Sequence, residues 1–356
     1  MIKLSWRNRG FWDKMKEVSS RGVSHRAAKV SDMKIPDTSS SSLFTPLALG
    51  QAPGKIILFG EHAVVYGRPA IAAPVQQVRA RAEIWPAEAC TVEAADLHRR
   101  IPVADASPDD PLARIVRLTC EALARPLPPW RIRIASEIPV ASGLGSGAAI
   151  SAAIVRAMLA AFDAALDDAT VSALVYEVEK IHHGSPSGVD NTVVVYERPV
   201  WFMRGKPPQP FAVARPIHLL IADTGVSSPT RIAVGDVNKA WEQDPTRYET
   251  LFDAVGSVAQ RARSAIETGD VAALGPLMDE NQRLLAAMGV SSPELEALIR
   301  AARAAGAAGA KLSGGGRGGN MIALVDDEHV GLVSRALTAA GAVSVIATTI
   351  PPAIVV

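Results

Sequence analysis

A glycine-rich loop directly ahead of a predicted helix is the first segment whose residue types could do chemistry. Gly143, Gly145 and Gly147 fall within five residues and lead into an Ala-rich run that predicts a helix from Ala148 to Phe162. Glycine lets backbone amides turn inward, and the positive end of a helix dipole adds to their attraction for an anion. The loop lacks the Lys-Ser or Lys-Thr of a Walker A motif and the spacing of GxGxxG. It therefore predicts either a phosphate cradle or a tight strand-to-helix turn.

A second segment places two carboxylates on either side of a Gly/Ser/Pro turn. Glu179 falls beside the apolar stripe of a helix predicted from about Asp168, and Asp190 follows the turn. A carboxylate that faces an apolar surface costs free energy unless it is compensated, so each acid calls for Mg²⁺ or a basic side chain. For either acid alone, an ordinary surface position or an Asx turn remains the alternative. His182 and His183 fit a helix C-terminus better than a metal site, because adjacent helical positions face different directions.

A third segment is rich in glycine, with seven of them between Gly306 and Gly319 and with Lys311 and Arg317 among the residues in between. So much glycine costs conformational entropy on folding, which indicates that a backbone or a ligand approaches the loop closely. A flexible linker is the alternative. It is disfavoured because the apolar runs 295–305 and 321–325 flank the loop and are typical of core elements.

Short β-rich runs and helical periodicities supply the elements that must position these segments. Strands are predicted at 55–59, 130–134, 192–196 and 200–203 in the first half, and at 217–222, 321–325 and 343–350 in the second. Helices are predicted at 148–162, from about 168 to 181, and, as several Ala-rich or amphipathic helices, between 230 and 305. This mixture predicts an α+β protein. The proline-rich segment 205–210 predicts a domain boundary at 208/209.

Length and composition limit the class of protein. A chain of 356 residues with 48% hydrophobic and 21% charged residues can form two domains with real cores. A net charge of +1 argues against non-specific nucleic-acid binding, and no apolar run is long enough to span a bilayer. The two cysteines, Cys90 and Cys120, cannot build a disulfide framework, so we expect a protein of the reducing cytoplasm. Residues 1–46 are basic and lack periodicity; they predict a poorly ordered extension or a misassigned start, with Met33 as one alternative.

In this order and at this spacing, the three segments resemble the GHMP kinase superfamily. Its first motif is similar to 52–55, Ala-Pro-Gly-Lys, its second to 139–149 and its third to 311–319. The resemblance covers about 52–325, and the strings 52–67 and 183–191 are most like the branch that acts on mevalonate. It implies an α+β fold of two domains, a ribosomal-protein-S5-like domain at 47–208 and a ferredoxin-like α/β domain at 209–356, with the active site in the cleft between them.

The resemblance also implies a reaction and its participants. The reaction would be ATP-dependent phosphorylation of the 5-hydroxyl of (R)-mevalonate, with Mg²⁺ as cofactor and ATP as co-substrate. Nucleic acid and membrane would not be partners, and a homodimer, common among such kinases, is left open.

Individual residues receive roles by the same resemblance. Asp190 would be the catalytic base, and Lys55 the cation that holds it ionised and steadies developing charge. Glu179, with Ser146, would bind Mg²⁺. The ATP phosphates would be held by Pro139, Ser142, Gly143, Leu144, Gly145, Ser146, Gly147 and Ala148, and the acceptor pocket would be lined by Glu61, His62, Ser187, Gly188, Thr230 and Gly315.

Two positions depart from the superfamily's pattern. Gly147 stands where a second serine usually offers a hydroxyl to Mg²⁺, so the metal would rest on Glu179, phosphate oxygens and either Ser146 or water. Arg317 stands where glycine is usual, and we expect it to face solvent rather than phosphate, because arginine is seldom fully buried.

Several alternatives stay open within and beyond the superfamily. They are kinases for phosphomevalonate, homoserine, galactose or another mevalonate hydroxyl, a mevalonate-diphosphate decarboxylase, and a ligand-binding relative that has lost the reaction.

Overall fold

Two β-sheets organise the protein, one in each half of the chain. The computed structural model describes residues 45–94, 98–139, 143–183, 186–227 and 230–353. The first sheet contains β1 (Ala48–Phe59), β2 (Ala70–Pro86), β3 (Thr91–Ala94), β4 (Arg99–Pro102), β5 (Trp130–Ser136), β6 (Val200–Phe202) and β7 (Gln209–Pro210). Its strand order is β4-β3-β5-β2-β6-β7, with β1 also paired to β2, and β3 and β5 run parallel. The second sheet contains β8 (Ile217–Asp223), β9 (Gly309–Ser313), β10 (Asn320–Leu324) and β11 (Ser344–Ile350), in the antiparallel order β11-β8-β10-β9.

Helices cover both sheets. In the first half they are α1 (Pro111–Ala122), α2 (Ser146–Phe162), α3 (Asp168–His183) and α4 (Val189–Tyr196). In the second half they are α5 (Thr230–Gln243), α6 (Pro245–Thr268), α7 (Val271–Ala287), α8 (Pro293–Ala304) and α9 (Val330–Ala339). Several begin at an aspartate or serine cap followed by proline, which satisfies first-turn amides and presets the helical φ; the Asp110 carboxylate, for example, accepts from the Leu112 and Ala113 amides at 3.0 Å.

The long β1–β2 pair and the Ala-rich helix α2 form the centre of the first half. A register shift between Pro53 and Gly54 falls immediately before Lys55, and such shifts change the direction in which the following side chains point. Helix α2 lies so close to β1 that a Cβ built at Gly50 would stand 2.1 Å from the Ala153 carbonyl oxygen. Glycine on the strand and alanines on the helix therefore permit the close packing that fixes the start of α2 beside Lys55.

One predicted strand is wrong. Residues 192–196, which are β-branched and aromatic, form the last part of helix α4. Burial decides the outcome, because Val193 and Val194 are fully buried and tertiary packing outweighs the modest β preference of such residues. The Thr192 hydroxyl donates to the Gly188 carbonyl at 2.7 Å, a bond that a helical turn provides. Asp190 consequently lies in the first turn of a helix instead of before a strand.

Most other predicted elements are confirmed, with shifted ends. The predicted strand at 55–59 is the second half of β1, and the helices predicted at 148–162 and from about 168 correspond to α2 and α3. The longest strand, β2, and the smaller elements β3, β4, β7, α1, β9 and α9 were not predicted from the sequence.

Two expectations are not settled by the fold. The predicted extension 1–46 lies almost entirely outside the described residues, and the domain boundary at 208/209 stays a prediction. Among the helices in the described ranges, none combines the length and the apolar composition that a bilayer crossing requires.

Candidate active site

A lysine from β1 and an aspartate from α4 form an ion pair. Lys55 Nζ lies 2.9 Å from Asp190 Oδ1. The lysine side chain is buried, at 4% exposure, whereas the aspartate is 27% exposed. A buried cation thus holds a carboxylate that remains open on one side, which is the arrangement a proton acceptor requires.

The glycine loop packs directly on Lys55. The Lys55 amide donates to the Leu144 carbonyl at 2.9 Å. Gly145 has φ +76°, and a Cβ built there would lie 2.9 Å from Lys55 Cγ. Gly143 also has a positive φ, of +84°, but among the described residues nothing lies within 4 Å of a Cβ at that position. Both the positive φ and the close approach of the Lys55 side chain therefore require glycine at position 145. The loop in turn fixes the path of the Lys55 side chain.

The start of α2 offers backbone donors beside this pair. Gly145 is the N-cap and makes no side-chain cap hydrogen bond, and no acidic residue stands in the first turn. The first-turn amides, which include those of Ser146, Gly147 and Ala148, and the positive end of the helix dipole together suit an anion. Pro139 is half-buried before the loop, and Ser142, predicted to bind ATP, lies outside the described residues.

Glu179 of α3 shares the electrostatic environment of this pair. It is buried, and burial raises its pKa to about 8; the negative charge of Asp190 adds to the rise, and the positive charge of Lys55 opposes it. A carboxylate in such a place is stabilised by an additional cation. Two carboxylates and the Ser146 hydroxyl are hard oxygen donors, the type that Mg²⁺ prefers. In the described ranges no three His, Cys, Asp or Glu side chains group closely enough to hold a metal ion.

A second group of predicted residues meets at the glycine loop that follows β9. His62 Nε2 lies 3.0 Å from the Gly315 carbonyl oxygen and donates to it. A Cβ built at Gly315 would stand 3.2 Å from Thr230 Oγ1, so Gly315 lies against the start of α5. Burial lowers the pKa of His62 to about 4, against a smaller opposite effect of the Gly315 hydrogen bond, so the imidazole is neutral at pH 7. Its Nδ1 is buried and has no hydrogen-bond partner among the described residues.

Glu61, predicted to line the acceptor pocket, is completely buried in a polar network. One carboxylate oxygen is paired with Lys311 of β9, and the other accepts from Asn281 Nδ2 of α7 at 3.1 Å. Desolvation lowers the pKa of Lys311, against the raising effect of the Glu61 charge. Asn281 was not predicted from the sequence; the signal that could have indicated it is a polar residue on the apolar stripe of α7 between Met278 and Leu285.

Ser187 and Gly188, also predicted to line the pocket, form the turn that starts α4. The Ser187 hydroxyl accepts from the Val189 amide at 3.3 Å. Gly188 has φ +94°, and a Cβ there would lie 3.1 Å from Phe202 Cζ. These residues therefore set the direction in which α4 presents Asp190.

The glycine loop 314–319 runs between other backbones. A Cβ at Gly314 would stand 4.0 Å from the Gly143 carbonyl oxygen, so the two glycine loops are neighbours. A Cβ at Gly316 would stand 2.1 Å from the Val290 carbonyl oxygen. Arg317, expected to face solvent, is only partly exposed and forms an ion pair with Asp236 of α5.

Comparisons with known proteins agree with this geometry. The family models for the GHMP kinases N terminal domain and the GHMP kinases C terminal region match residues 112–198 and 262–343. The mevalonate kinase of Pyrococcus horikoshii is 33% identical over 297 residues, which is 78% of this chain and 88% of that protein. The mevalonate kinase of Aeropyrum pernix is 36% identical over 296 residues, 80% of this chain and 90% of that protein. The crystal structure of L. major mevalonate kinase in complex with R-mevalonate is 31% identical with a TM-score of 0.75, and covers 86% of this chain and 97% of that one.

Proposed function

The chain belongs to the mevalonate kinases of the GHMP kinase superfamily, and from that premise we propose that it transfers the γ-phosphoryl group of ATP to the 5-hydroxyl of (R)-mevalonate. The products are 5-phosphomevalonate and ADP, an early step of isoprenoid biosynthesis. The family membership confirms the resemblance and the α+β fold expected from the sequence. The observation that carries the proposal is the Lys55–Asp190 pair, with its 2.9 Å contact beside the glycine loop.

In the proposed reaction Asp190 receives the proton of the 5-hydroxyl. The hydroxyl oxygen forms a bond to the γ-phosphorus, the bond from that phosphorus to the bridging oxygen breaks, and its electron pair leaves on ADP. Lys55 keeps Asp190 ionised and offsets negative charge as it develops on the reacting oxygens. Because Asp190 is already stabilised as an anion by Lys55, we expect the proton to move late, as the bond to phosphorus forms.

The backbone at the start of α2 is the proposed phosphate site. The amides of 143–148 would hold the ATP phosphates, and Glu179 with Ser146 would hold Mg²⁺. When bound, Mg²⁺ supplies neutralisation of the phosphate charge. The raised pKa of Glu179, about 8, supports this assignment, because burial and the charge of Asp190 disfavour the ionised carboxylate and a bound cation would favour it.

The proposed acceptor pocket lies at the His62, Thr230 and Gly315 cluster. A neutral imidazole that donates from Nε2 to Gly315 leaves Nδ1 as an acceptor for a hydroxyl of the substrate. The start of α4, at Ser187 and Gly188, completes the pocket on the side of Asp190.

Two further proposals concern the setting of the reaction. We propose the cytoplasm as its location, and the free, buried thiols of Cys90 and Cys120 support a reducing compartment. A homodimer stays a prediction.

The experiment that tests the function measures ADP release from Mg-ATP with a panel of acceptors: mevalonate, phosphomevalonate, mevalonate diphosphate, homoserine and galactose. Turnover with mevalonate alone is the expected result. Asp190→Asn is the matched control, since it keeps the size of the side chain and removes the proton acceptor. Turnover with a different acceptor, or ATP binding without turnover of any acceptor, would contradict the proposal.

A further inference from the structure

Arg317 occupies a backbone conformation that favours glycine. Its φ is +59°, and it stands between Gly316 at +73° and Gly318 at +134°. A side chain at such a φ is strained by contact between its Cβ and the backbone. The strain has to be outweighed by something the arginine side chain does.

Arg317 contacts both helix α5 and the turn between α7 and α8. Its Nη1 donates to Asp236 Oδ2 of α5, its Nε donates to the Gly289 carbonyl at 3.4 Å, and its own amide donates to the Val290 carbonyl at 2.7 Å. Arginine and aspartate are each 36% exposed in this pair. Ion pairs at such exposure add little to the free energy of unfolding, so stability alone does not account for a strained arginine here.

Helix α5 is lightly packed, and its first turn carries Thr230. The buried residues of α5 in the described chain are Ala233 and Val237, both small or medium-sized. At the C-terminal end, Trp241 Nε1 donates to Glu249 of α6 at 3.0 Å. At the N-terminal half, the side-chain link from α5 to another described element is the bond from Asp236 to Arg317.

The same loop carries the acceptor cluster. Gly315, two residues before Arg317, accepts from His62 and lies against Thr230. The Arg317 charge is also one of the smaller effects that lower the pKa of His62, which places guanidinium and imidazole in the same neighbourhood. A change in the distance between α5 and the loop would therefore move Thr230 relative to His62.

We propose that the Arg317–Asp236 pair is a positioning device that holds the start of α5 on the glycine loop and thereby sets the affinity for the acceptor. The inference rests on the proposed function, because it assigns the pair to the pocket of that reaction. Arg317 acts through Thr230 and Gly315, and is not itself a contact of the reacting atoms.

The test is a double-mutant cycle with Arg317→Gly and Asp236→Asn, in which kcat, the KM for (R)-mevalonate, the KM for ATP and Tm are measured. Either substitution should raise the KM for mevalonate about three- to tenfold, and the double variant should be no worse than either single one. The KM for ATP and kcat should stay within about twofold. Arg317→Gly should lower Tm by no more than about 2 °C, because glycine relieves the strained φ.

Lys239→Met is the matched control. Lys239 is the other cation paired with Asp236, at 3.5 Å, and it lies on α5 itself, so its loss leaves the link to the loop intact. This variant should keep the wild-type KM for mevalonate.

Four results would overturn the inference. A raised KM for mevalonate in Arg317→Gly with an unchanged value in Asp236→Asn would show that Arg317 contacts the acceptor itself. A rise of the KM for mevalonate and of the KM for ATP in both variants, together with a fall in Tm of more than about 2 °C, would show a structural role. A wild-type protein without mevalonate turnover would refute the proposed function, and this inference with it, whereas normal wild-type turnover with unchanged variants would refute the inference alone.

Discussion

Replacing Glu179 by glutamine should stabilise the metal-free protein at neutral pH although it removes a residue of the proposed metal site. The folded protein holds the pKa of Glu179 at about 8, against an ordinary value of 4.5, mainly because the side chain is buried. Between these pH values the folded state keeps the proton and the unfolded state releases it. The contribution of the protonated Glu179 side chain to the free energy of unfolding is therefore fully present below pH 4.5 and is lost as pH rises towards 8.

The size of the effect follows from the difference in pKa. Each unit corresponds to about 1.4 kcal/mol, so between pH 4.5 and pH 7 the wild type should lose about 3 kcal/mol relative to a side chain that does not titrate. For a chain of this length that is about 5 °C in Tm. Glutamine has nearly the same shape and no titration, so the Tm of Glu179→Gln minus that of the wild type should grow steadily with pH.

The assay is thermal unfolding of both proteins in EDTA at several pH values from 4.5 to 8. Glu177→Gln, a change at a partly exposed residue that pairs with Lys180 on the same helix, provides the baseline for the loss of one negative charge from α3. Mg²⁺ with ATP should then stabilise the wild type more than Glu179→Gln. A Tm difference that does not change with pH would refute the reasoning, since it would mean that the Glu179 carboxyl group titrates alike in both states.

Four other substitutions test the remaining geometry. Asp190→Asn should lower kcat by about 10²–10⁴ with ATP affinity retained, as a fluorescent nucleotide titration would show; near-normal turnover would remove Asp190 from the mechanism. Gly145→Ala should lower both kcat and Tm, because its Cβ would stand 2.9 Å from Lys55 Cγ. Gly143→Ala is equally strained but faces open space among the described residues, so it should lower Tm to a similar extent and kcat less than Gly145→Ala does. Lys311→Met leaves a buried carboxylate without its cation and should cost about 3–5 kcal/mol in urea unfolding; a loss below about 1 kcal/mol would show that the network is not stabilising.

The sequence allowed the chemistry to be located better than the contacts that hold it. The pairing of Lys55 with Asp190 was expected from motif resemblance, and the structure brings the two side chains together. The helix that presents Asp190 was predicted as a strand, because the local preference of 192–196 carries no information about the burial that overrides it.

Contacts between the two halves of the chain were beyond sequence reasoning. The Ser313 hydroxyl bonds both the amide and the carbonyl of Ile57, and Asn281 reaches Glu61, across separations that no periodicity records. Arg317 was recognised as unusual, but its partner Asp236 stands 81 positions away in sequence. Such pairs become visible only in the fold, which brings β9 and α7 next to β1 and brings Asp236 of α5 next to the glycine loop 314–319.

The most direct test of the central claim is a proton-coupled ³¹P spectrum of the product formed from Mg-ATP and (R)-mevalonate. Transfer to the 5-hydroxyl places phosphate on a methylene carbon, so the new phosphate signal should be a triplet split by the two C5 protons. Transfer to the 3-hydroxyl places it on a carbon without protons, and a singlet would contradict the assignment of Asp190 as the base for the 5-hydroxyl. No new phosphate signal besides those of ADP and inorganic phosphate would contradict the account as a whole.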